Sequence, residues 1–212
     1  MAKAGLIDKC QRCLKADKRA NRCQAFTDPE YMWRTGQCWG YKPKLAVYLA
    51  GSVNGHDSWE AVTEWRLYAA GVLEAAGYHV LNPVRGRKPT DTDSKDIVER
   101  DLRDISQADI LLVEMDHENR AYIGTAMEIR YAWERNKEII LWGRANSGSH
   151  WLKYHATAWF KNLEEALEYL RERGRQLYGG DSQRVERSPR RMAKGTARVR
   201  NGRTGVCGSS GI

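Results

Sequence analysis

Two carboxylates stand out by the company they keep. Glu128 lies in "YIGTAMEIRYAWE", between the apolar runs "ADILLVEM" and "KEIILWG". Thr125-Ala126-Met127-Glu128 fits a capping box, in which the glutamate bonds back to the Thr125 backbone. The other reading is chemical: a carboxylate in the first turn of a helix is held ionised by the backbone dipole, which suits a nucleophile. Gly124, just before, leaves room for a substrate to approach. Asp101 lies in "SKDIVERDLRDISQAD". With about 100° per residue and Val98 at zero, Asp101 falls inside the apolar arc of Ile97, Leu102 and Ile105. A carboxylate there must be paired, protonated or functional, and Arg100 and Arg103 offer the ion-pair alternative. One ionised carboxylate and one pushed toward its acid form make a nucleophile and general-acid pair. A helix starting at Ser94 puts Asp101 about 10 Å along its axis, so the helix starts later or leans over the pocket.

The elements that must position this pair alternate. "KLAVYLAG" is a buried strand ending in Gly, and "SWEAVTEWRLYAAGVLEAAG" a helix with Val62, Trp65, Leu67, Ala69, Leu73 and Ala76 on its apolar face, closed by Gly77. There follow the strand "YHVLNP", a polar loop, a helix from about Ser94 to Ala108, the strand "DILLVEM", the Glu128 helix, the strand "EIILWG", and a helix capped by Asn162. This order predicts a doubly wound, mostly parallel α/β sheet with helices on both faces.

Ligands in such sheets gather at the carboxyl ends of the strands, where "AGSVNGHDSW", "NPVRGRKPTDTD", "EMDHENRAYIG" and "WGRANSGSHW" are expected as loops. Gly51-Ser52-Val53-Asn54-Gly55 has two readings, a tight turn or a cradle of N–H groups for an anion. It is neither a Walker A loop nor a G-x-G-x-x-G fingerprint. Trp59, Trp65, Trp133, Trp142 and Trp151 read mainly as core or subunit contact, and His117, His150 and His155 lack metal-ligand spacing.

Four of the five cysteines, Cys10, Cys13, Cys23 and Cys38, fall in the first 40 residues. Two readings stay open: a structural zinc that supplies folding energy to a segment poor in aliphatic residues, or free thiols. The expected organisation is a Cys-rich segment at 1–43, an α/β domain at 44–178, and a disordered basic tail at 179–212 with a stray Cys207.

The formal charge of +8 sits at the ends. Residues 1–40 carry +4 and residues 181–212 carry +6, which leaves the central domain at −2. Nucleic-acid contact by the tail is therefore an expectation about the tail alone, beside the reading of a solvated terminus. No apolar run approaches the roughly 20 residues of a membrane span and the amino terminus has no signal-peptide core, so a soluble, cytoplasmic protein is expected.

The segments "YLAGSV", "LNP", "ERDLRDISQADILLVEM" and "GTAMEIRYAWERNKEIILWG" resemble the nucleoside 2-deoxyribosyltransferase family and its relatives, the 2'-deoxynucleoside 5'-monophosphate N-hydrolases, over about residues 44–172. The resemblance implies a flavodoxin-like domain, often a homo-oligomer, that needs no metal or cofactor for catalysis. It implies that Glu128 attacks C1' of a deoxyribose to give a covalent glycosyl-enzyme. Asp101 would help bind the departing base and supply its proton, and a second base or water would resolve the intermediate. Tyr48 matches a family tyrosine loosely. Gly51, Ser52, Asn54, Gly55, Asn82, Tyr122, Gly124 and Thr125 fall at substrate-binding positions.

One departure concerns Tyr122. Six residues before the nucleophile the transferases carry aspartate and the monophosphate hydrolases a phosphate-binding serine, whereas the "GS" turn here resembles that of the hydrolases. Three functional classes follow: an N-glycosidic bond enzyme, transferase first and monophosphate hydrolase as alternative; a non-catalytic nucleotide sensor in which Glu128 merely caps a helix; and a nucleic-acid binder acting through its termini.

Overall fold

Strands that are apolar at every position need cover on both faces, and Ala46–Ala50 is buried along its whole length. The computed structural model describes residues 5–10, 12–17, 19–36 and 38–178. The expectations for the tail at 179–212, Cys207 included, lie outside the described residues.

In chain order, β1 (Ala16–Asp17) and β2 (Arg22–Cys23) pair as a short antiparallel ribbon, and α1 (Pro29–Arg34) follows. Then come β3 (Ala46–Ala50), α2 (Trp59–Ala75), β4 (His79–Leu81), α3 (Ser94–Gln107), β5 (Ile110–Glu114) and α4 (Ile123–Trp133). The chain continues through β6 (Glu138–Trp142), α5 (His150–His155), β7 (Ala158–Phe160) and α6 (Leu163–Tyr178). The five later strands form one sheet in the order β4-β3-β5-β6-β7, with every neighbouring pair parallel. This is the flavodoxin-like, doubly wound arrangement. Ile105, Ala108, Ile129, Ala132 and Leu152 pack from α3, its cap, α4 and α5 on one face, and Ala69, Leu73, Leu163 and Leu170 from α2 and α6 on the other.

The helix boundaries follow local chemistry. Ser58 Oγ accepts from Ala61 N at 3.2 Å to start α2, and Gly77 at φ +96° ends it. Asp93 caps α3 by accepting from Lys95 N and Asp96 N, while Asn162 Oδ1 accepts from Glu165 N ahead of α6.

The structure corrects several readings of helix faces and boundaries. Leu67 is 64% exposed and Val98 52% exposed, because the buried stripe of α2 runs Val62, Arg66, Ala69, Leu73 and that of α3 is anchored on Asp104 and Ile105. The stretch from His150 to Phe160 holds a short helix and a fifth strand, elements the sequence did not separate from loop.

The Cys-rich segment docks onto the sheet's amino-terminal end. Arg12 donates to Gln107 O and Lys44 O and pairs with Asp109 Oδ2 at 2.9 Å, while Asp109 Oδ2 also accepts from Ala46 N at 2.7 Å. A bridge between Cys13 and Pro43 continues the join. Cys10, Cys13 and Cys38 are buried and Cys23 half-buried. Among the described residues, no group of three or more His, Cys, Asp or Glu is placed to hold a metal ion. Nor is any described helix long and apolar enough to cross a membrane.

Candidate active site

The sheet order reverses at β3, whose neighbours β4 and β5 continue in opposite directions, so the loops after β3 and β5 part and leave a crevice at their carboxyl ends. Tyr48 of β3 is fully buried, and its hydroxyl donates to Glu128 Oε1 of α4 at 2.7 Å. Burial pushes the tyrosine hydroxyl well above its ordinary range, and the nearby Glu128 and Asp101 carboxylates add to this, so it stays a donor.

Glu128 does not sit where a capping box needs it. Helix α4 starts at Ile123, its N-cap is Tyr122, and no side chain caps it. Thr125 is the third helical residue and is buried, and Glu128 stands in the second turn. The expectation that the helix end keeps Glu128 ionised is overturned accordingly, since the dipole's effect fades beyond the first turn. Burial instead pushes Glu128 up to about 7; the Tyr48 hydrogen bond opposes this, the Asp101 charge adds to it, and Arg66 and Arg87 oppose it.

Asp101 is half-buried. Its Oδ1 is enclosed without a hydrogen-bond partner among the described residues. Burial pushes it up to about 6, against the pull of Arg87 and Arg100. Helix α3 does begin at Ser94, and Asp101 nevertheless lies near enough to act electrostatically on Glu128 and Tyr48. One turn on, Asp104 is tied off by Arg85, with Nη2 to Oδ1 at 3.0 Å, whereas the enclosed Oδ1 of Asp101 is unspent.

A second polar centre, not read from the sequence, is Glu114 at the end of β5. It is 1% exposed and accepts from Ser52 N and Oγ, Asp116 N and the Tyr122 hydroxyl, the last at 2.6 Å. Four donors on one carboxylate tie the loop after β3 to the loop after β5. Tyr122 therefore turns its hydroxyl inward, where it also accepts from His117 N. The Ser52 hydroxyl is likewise engaged, with His56 Nε2 2.8 Å away. Burial lowers the His56 pKa, helped by Arg120 and His117.

The remaining sequence candidates divide by surroundings. At Gly51 an added Cβ would come within 2.9 Å of Glu114 Cβ and 3.0 Å of Trp65, so packing alone requires glycine there. Asn54 and Gly55 are exposed; Gly55 has φ +81°, and its carbonyl accepts from Arg120. Asn82 Oδ1 accepts from Val84 N at 3.1 Å and shapes its own turn. Gly124 is exposed with open space around it. Trp65 and Trp142 pack edge to face in the core, whereas Trp151 is 74% exposed.

Two cavities flank the crevice. One, about 360 Å³, is lined in part by Asn54, Gly55, Asp57, Arg87, Lys88 and Asp91; the other, about 580 Å³, in part by Arg87, Asp91, Asp93, Asp96, Arg100 and Arg103. Arg87 is common to both and acts electrostatically on Glu128 and Asp101, although neither carboxylate lines either cavity. Its backbone N–H donates to Val84 O, while its side-chain Nε is enclosed without a partner among the described residues.

Comparison with known proteins gives one family match and several distant structural likenesses. Residues 44–144 match the family model described as "Nucleoside 2-deoxyribosyltransferase like". No protein of curated function matches. Among solved structures, a conserved protein from Enterococcus faecalis V583 is 15% identical with a TM-score of 0.48, over 61% of this chain and 99% of that one. A 2-desoxiribosyltransferase from Leishmania mexicana is 18% identical with a TM-score of 0.48, over 61% and 98%. A CMP N-glycosidase from Clostridium botulinum is 19% identical with a TM-score of 0.42, over 60% and 96%.

Proposed function

Taking residues 44–144 as a nucleoside 2-deoxyribosyltransferase-like domain, we propose that the chain is an enzyme that cleaves the N-glycosidic bond of a deoxynucleoside through a glycosyl–Glu128 intermediate and transfers the sugar to another base. The observation that carries this reading is the bond from Tyr48 to Glu128 Oε1. It fixes the carboxylate by one oxygen and leaves Oε2 to attack C1', as the nucleophile of a retaining glycosidic displacement does. The bond from C1' to the base nitrogen breaks, its electron pair goes to the base, and Asp101 supplies the proton the base leaves with. A second base, or water, then attacks C1' as Asp101 takes its proton, and the bond from C1' to Oε2 breaks with its electron pair returning to Glu128.

The proton must lie on Asp101 and off Glu128 when the bond breaks. With Glu128 raised to about 7 and Asp101 to about 6, the resting preference is the reverse, by a narrow gap. A base seated against Asp101 displaces water from that carboxyl, raises its proton affinity, and removes so small a gap.

The smaller cavity favours a second reading, hydrolysis of a 5'-monophosphate. Arg87 and Lys88 would suit a phosphate group there, against the two carboxylates Asp57 and Asp91 that share the lining. Chromatography of free base released from deoxynucleosides and their monophosphates, with and without an acceptor base, separates the two. Release or exchange abolished in Glu128→Ala is expected, and undiminished release by that variant would overturn the mechanism. Binding of a nucleotide without any release would favour the sensor.

A further inference from the structure

Arg66 is a cation of α2 with no solvent exposure at all. Nothing in the sequence reading assigned it a role, and no carboxylate lies within ion-pairing distance of it among the described residues. Its guanidinium is spent on three main-chain carbonyls: Nη1 donates to Val62 O at 2.6 Å, Nε to Leu49 O at 3.3 Å and Nη2 to Gly51 O at 2.9 Å. It also stacks on the Trp65 ring, 4.6 Å from the centroid. A buried charge satisfied only by neutral groups is costly, and a methionine or leucine would fill the space more cheaply.

Where the three bonds fall suggests what the charge is for. Leu49 and Gly51 lie between Tyr48, which holds Glu128, and Ser52, which is held by Glu114. The guanidinium thus grips the short segment from which both polar centres hang, and it places a positive charge beneath them. The close packing of Gly51 against Arg66 Nη2, where an added Cβ would come within 3.1 Å, belongs to the same clamp.

We propose that Arg66 is a positioning residue for Glu128: its carbonyl bonds lock the exit of β3, the strand whose Tyr48 holds the Glu128 carboxylate, and set a buried positive charge behind it. The role rests on the reading of Glu128 as the nucleophile. Four groups face Glu128, namely Tyr48 from β3, Asp101 from α3, Arg66 from α2 and Arg87 from the loop after β4; burial and Asp101 raise its proton affinity, and the other three lower it. Of the two arginines, Arg87 lines open cavities, where solvent screens its charge. Arg66 is sealed from water and screened least.

The test needs no substrate. Glu128 is followed by carbon NMR of the full chain labelled at glutamate carboxyls, its resonance identified by loss in Glu128→Gln. In Arg66→Gln the Glu128 midpoint is expected to rise by about one pH unit, while Arg66→Lys stays near the wild type. An unchanged midpoint in folded Arg66→Gln overturns the electrostatic role. Should Arg66→Gln not fold, Arg66→Lys carries the test alone. It keeps the charge but cannot span the Leu49 and Gly51 carbonyls, so amide exchange at Gly51 and Ser52 is expected to quicken at least tenfold with the Glu128 midpoint held. Unchanged exchange overturns the clamp. If these results appear while no base is ever released, the positioning stands and the proposed reaction falls.

Discussion

The Tyr48 hydroxyl and Glu128 Oε1 stand 2.7 Å apart, joining the first strand of the parallel sheet to the second turn of α4. Tyr48 is buried on all sides, so this donor has no freedom to turn elsewhere. It faces a carboxyl that burial pushes toward its protonated form. The pair thus opposes two effects at one atom, desolvation favouring the acid and a fixed donor favouring the anion.

Removing the donor should let desolvation win. In Tyr48→Phe the acid limb of kcat/KM is expected to move to higher pH, and turnover near pH 6.5 to fall about 10- to 100-fold, the range expected for a positioned polar group. The check is a pH profile of base release on wild type and variant. A profile whose acid limb does not move would show that Tyr48 contributes shape alone.

The same burial makes the two carboxylates a burden on the fold at neutral pH. Glu128 is raised to about 7 from an ordinary 4.5, and Asp101 to about 6 from 3.8. Each is raised, so the folded state holds these protons more tightly than the unfolded chain. The stability they favour is full below the ordinary values and is lost as pH rises through the folded ones. Glu128→Gln should therefore match the wild type at pH 4.5 and exceed it by about 1–2 kcal/mol at pH 8, a gain of the kind active-site replacements often give. Urea unfolding at the two pH values measures it; a variant equal to the wild type at pH 8 would contradict the burial argument.

How much of this was legible in the sequence differs element by element. The strands at Ala46, Ile110 and Glu138 were plain, because continuous apolar runs bounded by polar loops admit few other folds. Strand β7, only Ala158–Phe160, is too short to show a period, and α5 before it is six residues long. Asp101 was legible from its angular position on a helix. The same test would have found Arg66, four residues after Val62 and three before Ala69 on the buried stripe of α2. Glu114 also left a signal, as an acid closing the buried run "ILLVE". The inward turn of the Tyr122 hydroxyl left none, since it depends on the Glu114 carboxylate meeting two loops in space.

A backbone prediction tests the β6 exit. Gly143 has φ +104°, and a Cβ there would collide with Met115 O. Both atoms in that collision belong to the main chain or its first carbon, so no rotamer relieves it. Gly143→Ala is expected to lose about 3 kcal/mol or more, from strain and displacement of the Met115 carbonyl that accepts from Ala145 N. Thermal unfolding is the check, and a change below about 1 kcal/mol would mean the loop after β6 moves freely.

Tyr122 gives the sharpest separation between a structural and a substrate-binding role. Its hydroxyl donates to Glu114, a carboxylate 1% exposed, and accepts from His117 N. Removing it leaves one oxygen of a buried carboxyl with one of its two donors gone, at an expected cost of about 1–3 kcal/mol. The substrate consequence runs the other way. A tyrosine that touched the phosphate or sugar would, as phenylalanine, raise KM for one substrate class and spare the other. A tyrosine turned toward Glu114 loosens both loops and alters nucleosides and monophosphates alike. Tyr122→Phe should therefore lower the unfolding free energy while leaving the ratio of kcat/KM values for the two classes within about twofold of the wild type. A ratio that moves tenfold with stability intact would place the hydroxyl against the ligand.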